Sequence, residues 1–117
     1  MGETVLIVDD HAGFRSRARR LLECEGYQVV GEAEDCASAL RAARAVRPAV
    51  ALVDVHLPDA SGFVLTTQLV ALDPPPAVVL TSSRDAADLD GLVLQSQARG
   101  FVPKAELSRE SIEELLR

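Results

Sequence analysis

Two cysteines, Cys24 and Cys36, are all that the 117 residues contain. Their separation fits neither a Cys-x-x-Cys redox motif nor a zinc finger, and two thiols cannot make a disulfide framework. Both are expected to be small buried apolar groups. Clustered positive charge is also scarce. The formal net charge is −6, whereas a nucleic-acid surface gathers Lys and Arg to neutralise phosphates. The one local basic run, Arg15, Arg17, Arg19 and Arg20, interleaves with Phe14, Ala18, Leu21 and Leu22 and reads as the solvated face of an amphipathic helix. No stretch approaches the roughly 20 apolar residues that span a bilayer, and no basic start followed by an apolar run marks a secretion signal. Direct contact with nucleic acid or membrane is therefore not expected, and a cytoplasmic location is. No linker, low-complexity segment or repeat of residue pattern divides the chain. Its 48% hydrophobic content suffices for one core without staples, so residues 1–117 are read as a single domain.

What is present is alternation. Five short apolar runs recur at roughly 23-residue intervals: Val5 to Val8, Tyr27 to Val30, Val50 to Val53, Ala77 to Leu80, and Phe101 to Val102. A helical pattern follows each. The first carries Phe14, Ala18, Leu21 and Leu22 on one face and stops at Gly26. Asp35 caps the second, whose stripe is Cys36, Ala39, Leu40 and Ala43, with Pro48 just beyond. The third starts near Ser61, turns Leu65, Leu69 and Leu72 inward, and cannot pass Pro74, Pro75 and Pro76. A fourth, from about Asp85 to Gln97, is weakened by Gly91. The fifth opens at Ser108, with Glu110 suiting the helix dipole and Ile112, Leu115 and Leu116 packing inward. Strands buried on both faces and alternating with helices imply a parallel sheet with right-handed crossovers, hence a five-stranded α/β sandwich with five helices.

In open sheets of this kind ligands bind outside the carboxyl ends of the strands, where the strand order reverses. The residues following the runs are Asp9 and Asp10, Asp54, Thr81 and Ser82, and Lys104. Three carboxylates brought to one sheet edge repel unless a cation neutralises them. Oxygen ligands without a His or Cys cluster favour Mg2+. A carboxylate is also a nucleophile, and phosphoryl transfer to it needs in-line placement and neutralised phosphoryl oxygens. Mg2+ and the Lys104 ammonium can share that charge, and the Thr81 hydroxyl can donate to a further oxygen. Chemistry alone leaves open which carboxylate attacks; Asp54 is favoured because it ends a central strand. Taken singly, Asp10 reads as a helix N-cap, Asp54 as the start of a turn through Leu57, Pro58, Asp59 and Gly62, Thr81 as a loop hydroxyl and Lys104 as a surface charge. Their joint order at strand ends is what points to a phosphoryl site.

VLIVDDH (Val5 to His11), VALVDVHLPDASG (Val50 to Gly62), VVLTSS (Val78 to Ser83) and GFVPK (Gly100 to Lys104) resemble the receiver domain of bacterial two-component response regulators over the whole chain. The DDH start with Phe14 and the segment VVGEAED look most like receivers joined to LuxR-type helix-turn-helix output domains. The resemblance implies a flavodoxin-like fold with strand order 2-1-3-4-5. It implies Asp54 as phosphoacceptor, Asp9 and Asp10 as the acidic pair serving Mg2+, and the backbone carbonyl of His56 as a further metal ligand. Thr81 would be the switch hydroxyl, Phe101 the switch aromatic and Lys104 the active-site lysine, with the His56 and Ser83 side chains tuning phosphoryl lifetime. The chain departs from the family in having Ala105, where many members place Pro after the lysine, and in Phe101, which lacks the hydroxyl of the more familiar Tyr. His11 is read as a helix-start residue beside the acidic pair and the His56 ring as pocket rim.

The function so implied is a phosphorylation switch, not an enzyme beyond its own phosphorylation and dephosphorylation. A histidine kinase or phosphotransfer protein would phosphorylate Asp54, Thr81 and Phe101 would move, and the surface of the fourth helix, fifth strand and fifth helix would change. That surface would bind an output protein, a C-terminal effector domain or a second copy of the chain. Two other classes compete. A haloacid-dehalogenase-like phosphatase needs a second Asp two positions after its nucleophile, where this chain has His56 after Asp54 and His11 after Asp9. An unphosphorylated receiver-like interaction module would not need the full set of Asp9, Asp10, Asp54, Thr81 and Lys104.

Overall fold

The computed structural model describes residues 3–83, 93 and 95–116. Its five apolar runs are strands β1 (Thr4–Val8), β2 (Gln28–Ala33), β3 (Val50–Asp54), β4 (Ala77–Ser82) and β5 (Gly100–Pro103). They pair in parallel in the order β2-β1-β3-β4-β5, so the order reverses between β1 and β3. Among the described residues four α-helices connect and flank them: α1 (Ala12–Cys24), α2 (Cys36–Val46), α3 (Gly62–Val70) and α4 (Arg109–Leu116), the last preceded by a 3-10 turn at Lys104–Glu106. The helix expected from about Asp85 to Gln97 falls largely outside the described residues, so α4 is the helix that the sequence reading places fifth.

Strand side chains alternate between faces, which splits one sheet into two cores. Leu6, Val8, Ala51, Val53, Val78 and Leu80 pack with Ala39 and Ala43 of α2 and Leu65 and Leu69 of α3. On the opposite face Val5, Ile7, Val50, Leu52 and Val79 pack with Ala18 and Leu22 of α1 and Ile112 of α4. All five residues of β3 are buried, so the buried centre of the sheet runs up to Asp54.

The edges depart from the expectation of uniform burial. Strand β2 runs past Val30 to Ala33, and its Glu32 carboxylate pairs with Arg15 at 3.1 Å and Arg19 at 2.7 Å. An edge strand tolerates this polar face, and it ties down half of the basic run. Cys24 is exposed, contrary to expectation: α1 buries Phe14, Ala18 and Leu22, and Cys24 follows Leu22 by two residues, on the far side of the helix. Cys36 is buried as expected, and burial followed by the nearby Asp59 charge pushes its thiol up to about 11.

Helix ends follow local chemistry. Gly26, at φ 97, follows α1, and Arg47, at φ 46, closes α2 before Pro48. Asp35 and Ser38 form a reciprocal cap: Ser38 N donates to Asp35 Oδ1 at 2.8 Å, and Asp35 N to Ser38 Oγ at 3.3 Å. The Ser38 hydroxyl and amide hold the Asp35 carboxyl below its ordinary range. A depressed folded-state pKa adds stability above the unfolded value that is lost as pH falls through the folded value. Asp35→Ala is therefore expected to lower the thermal midpoint by a few degrees at neutral pH, with the deficit shrinking below the ordinary carboxylate range. Thermal unfolding followed by circular dichroism across pH measures both.

Candidate functional site

Three of the expected residues meet because three strands end together. Asp9 follows β1, Asp54 ends β3, and Lys104 follows β5. Asp9 and Asp54 are 0% and 3% exposed. The Lys104 ammonium stands 2.6 Å from Asp9 Oδ2 and 3.3 Å from Asp54 Oδ2. It also lies 4.5 Å from the centre of the Phe14 ring, so one cation is held among two carboxylates and an aromatic face. Asp10, more exposed, faces the same pocket.

The carboxylates remain in excess of the positive charge. Burial, with the neighbouring Asp9 charge adding to it, pushes the Asp54 carboxyl above its ordinary value, against the opposing pull of the His56 amide and Lys104. Asp9 Oδ2 is buried without a hydrogen bond of acceptable geometry. The Lys104 ammonium, 2.6 Å away, pairs with that oxygen in charge and is shared with Asp54. One donor atom from each of Asp9, Asp10, His11 and Asp54 lies within 4.8 Å of the others. Clustered carboxylate oxygens carrying surplus negative charge fit a divalent cation.

The remaining expected residues are placed less directly. His56 donates its backbone N–H to Asp54 Oδ1 at 3.1 Å, and its side chain is exposed. Thr81 is the register partner of Asp54, yet its hydroxyl donates to the Val53 carbonyl, at 3.5 Å, and not to the carboxylate. Phe101 is half-buried against the α2/α3 core, paired in register with Leu80 beside Thr81. Ser83 is exposed and lines, with Phe14, Leu21, Pro103 and Lys104, a groove of about 560 Å³. Among the described residues the one cis peptide is Asp73–Pro74, away from the Lys104 segment.

His11 lies at the helix start beside the acidic pair, as read from the sequence, while four further contributions, from Arg15, Phe14, Asp59 and Gly62, escaped that reading. His11, not Asp10, is the N-cap of α1. Its N–H donates to Asp9 Oδ1 at 2.8 Å, and its Nδ1 stands 3.3 Å from Asp9 Oδ1 and 3.1 Å from Asp10 Oδ1. Arg15, read as solvated, donates to the Asp9 carbonyl at 2.5 Å, and Phe14 supplies the ring beneath Lys104. Asp59 accepts from Cys36 N and Ala37 N at 2.9 and 3.2 Å, joining the loop after Asp54 to the start of α2. A helix capped at His11 brings Phe14 and Arg15, three and four positions on, back to the capped side within a turn, which was the available signal. Gly62, the fourth, packs directly on the backbone of Asp54 and Val55.

The response regulator receiver domain family matches residues 5–117. A Pseudomonas aeruginosa protein described as a transcriptional regulator is 38% identical over 112 residues, covering 96% of this chain and 52% of its own length. The chain thus spans about half the length of the curated relatives it matches. Among solved structures, the NarL signal receiver domain from Mycobacterium tuberculosis superposes with a TM-score of 0.86 at 32% identity, covering 98% of this chain and 97% of that one. A LuxR-family two-component response regulator from Aurantimonas sp. SI85-9A1 gives 0.88 at 29% identity, covering 99% and 86%.

Proposed function

Because this chain belongs to the response regulator receiver domain family, a family of phosphoacceptor signalling domains, we propose that it is switched by transfer of a phosphoryl group to Asp54. The observation that carries this reading is the buried trio of Asp9, Asp54 and Lys104 at the point where the strand order reverses. A histidine kinase, a phosphotransfer protein or a small acyl phosphate is the donor. An Asp54 carboxylate oxygen attacks phosphorus as the bond to the donor's nitrogen or oxygen breaks; the product is an aspartyl phosphate, which water later hydrolyses.

The residues divide that work. The His56 amide orients Asp54 through the Oδ1 bond, leaving the second oxygen, now facing Lys104, to attack. Lys104 then moves from carboxylate to phosphoryl oxygen, a short transfer for a cation already placed. Asp9, Asp10, Asp54 and the His56 carbonyl would hold Mg2+, which when bound neutralises charge on the phosphoryl oxygens. The long contact from Thr81 to Val53 is readily exchanged for a bond to the phosphoryl group, and Phe101, on the adjacent strand, follows. The His56 and Ser83 side chains sit where they would affect access of water. The output surface takes in β5 and α4, and it controls a partner protein, an effector domain or pairing with a second copy. Among the described residues no helix is long and apolar enough to cross a membrane.

Incubation with acetyl phosphate and Mg2+, followed by intact mass measurement, is expected to show one phosphoryl adduct that chelator abolishes. No adduct from several acyl phosphate and phosphoramidate donors, or steady turnover of a phosphomonoester, would overturn the reading.

A further inference from the structure

Resting on the roles given above to the His56 backbone, we propose that Asp59, outside the acidic pocket, is a positioning residue for the phosphoryl site: its carboxylate clamps the loop between β3 and α3 onto α2 and so fixes His56. The loop closes on itself before it reaches α2. His56 and Ser61 pair as an antiparallel bridge, and Gly62 N donates to Val55 O at 2.7 Å. Residues 57–60 are thus a reversal with Asp59 toward its tip and His56 at its base. From the base, the His56 N–H donates to Asp54 Oδ1 at 3.1 Å. Toward the tip, Asp59 Oδ1 accepts from Cys36 N at 2.9 Å and Oδ2 from Ala37 N at 3.2 Å. A turn held at tip and base cannot pivot on either.

The clamp matters more to the loop than to the helix. Asp35 already caps α2, accepting from Ser38 N at 2.8 Å, and the reciprocal bond from Asp35 N completes that cap. Asp59 and Ala37 are exposed, so water is on hand for the first amides of α2 once the carboxylate is gone. The loop has no such substitute, because water cannot tether it to a helix. The anchor is rigid, since α2 buries Cys36, Ala39 and Ala43 in the core. Both clamp bonds are charge-assisted, and they hold the Asp59 carboxyl below its ordinary range, the Cys36 amide most. The Cys36 thiol adds a longer tie, to Ser61 O at 3.8 Å, at the far end of the reversal.

Amide hydrogen exchange of the metal-free chain, followed by NMR well below the thermal midpoint, reads the clamp without any phosphoryl chemistry. In Asp59→Ala the His56 amide is expected to exchange about tenfold faster, because losing charge-assisted bonds makes local opening easier. The Mg2+ concentration that half-saturates adduct formation from acetyl phosphate is expected to rise about fivefold, less than when a partner in direct contact with a metal ligand is lost. The maximal rate at saturating Mg2+ is expected to stay within about twofold of wild type. Asp59→Asn keeps one acceptor oxygen and should recover most of both changes. Asp35→Ala is the control: it uncaps the same helix while the clamp bonds stay in place, so its His56 exchange and Mg2+ half-saturation should match wild type. An unmoved His56 amide or unmoved half-saturation in Asp59→Ala, or changes that Asp35→Ala reproduces, would overturn the inference and leave Asp59 a helix cap. Asp59→Asn behaving as Asp59→Ala would also overturn it, since charge and not tethering would then be the cause. A wild-type chain that neither binds Mg2+ nor forms an adduct would overturn the inference together with the reading beneath it.

Discussion

Asp54→Asn is expected to abolish the phosphoryl adduct and, in metal-free buffer at neutral pH, to raise the thermal midpoint by a few degrees. The amide keeps the shape of the carboxyl and removes both the nucleophile and a buried negative charge. Asp54 titrates above its ordinary value, chiefly through burial. For such a group the folded-state stabilisation is complete below the unfolded pKa and is lost as pH rises through the folded one. The wild type should therefore weaken across that window relative to Asp54→Asn, and the two should converge in acid. Adding Mg2+ should reverse the order, since a ligand that binds only the folded state stabilises by about 2.7 kcal/mol at a hundredfold excess over its Kd. Intact mass and thermal unfolding, with and without Mg2+, give both readouts. An adduct that persists in Asp54→Asn would assign the nucleophile to Asp9 or Asp10, which chemistry alone left open.

The order of elements was legible because backbone period and burial follow hydrophobic pattern. Val5 to Val8 and Val50 to Val53 read as strands buried on both faces, and they are. Once a parallel sheet is inferred, Asp9, Asp54 and Lys104 must arrive at one edge. What was illegible depends on side-chain direction and on partners distant in sequence. Glu32 extends β2 because Arg15 and Arg19 on the neighbouring helix meet its carboxylate, which no count of apolar residues registers. Thr81 occupies its expected strand position, but only the structure turns its hydroxyl to Val53. Cys24 followed a tendency of its residue type against the actual phase of α1. Phe14 was weighed as a local helix residue, yet it contributes through Lys104, a group ninety positions on that the fold brings over its ring. The site's outline is thus a property of strand ends, and its fine positioning a property of the first turn of α1.

Gly62→Ala is expected to destabilise the fold by about 3 kcal/mol, at the upper end of overpacking costs, because the neighbours are backbone atoms that cannot swing aside. An added Cβ would stand 2.9 Å from Val55 Cα and 3.0 Å from the Asp54 carbonyl carbon, with the Asp54 oxygen closer still. The left-handed region is not involved, since Gly26 is the only described glycine with positive φ. Close approach alone demands the missing side chain, as the contrast with Gly13 shows: a Cβ there would meet nothing within 4 Å. The junction is held by Gly62 N donating to Val55 O at 2.7 Å, and α3 is seated through the fully buried Leu65 and Leu69. Relief must therefore come either from lifting α3 off the core or from shifting the end of β3, which carries Asp54. The first lowers the midpoint, by about 10 °C for a domain of this size. The second misplaces the nucleophile, so the adduct should form more slowly even well below the midpoint, where the variant is folded. Unfolding by circular dichroism and adduct formation at low temperature separate the two. A loss under about 1 kcal/mol with unchanged adduct formation would show that the junction relaxes freely, and that Gly62 does not position Asp54.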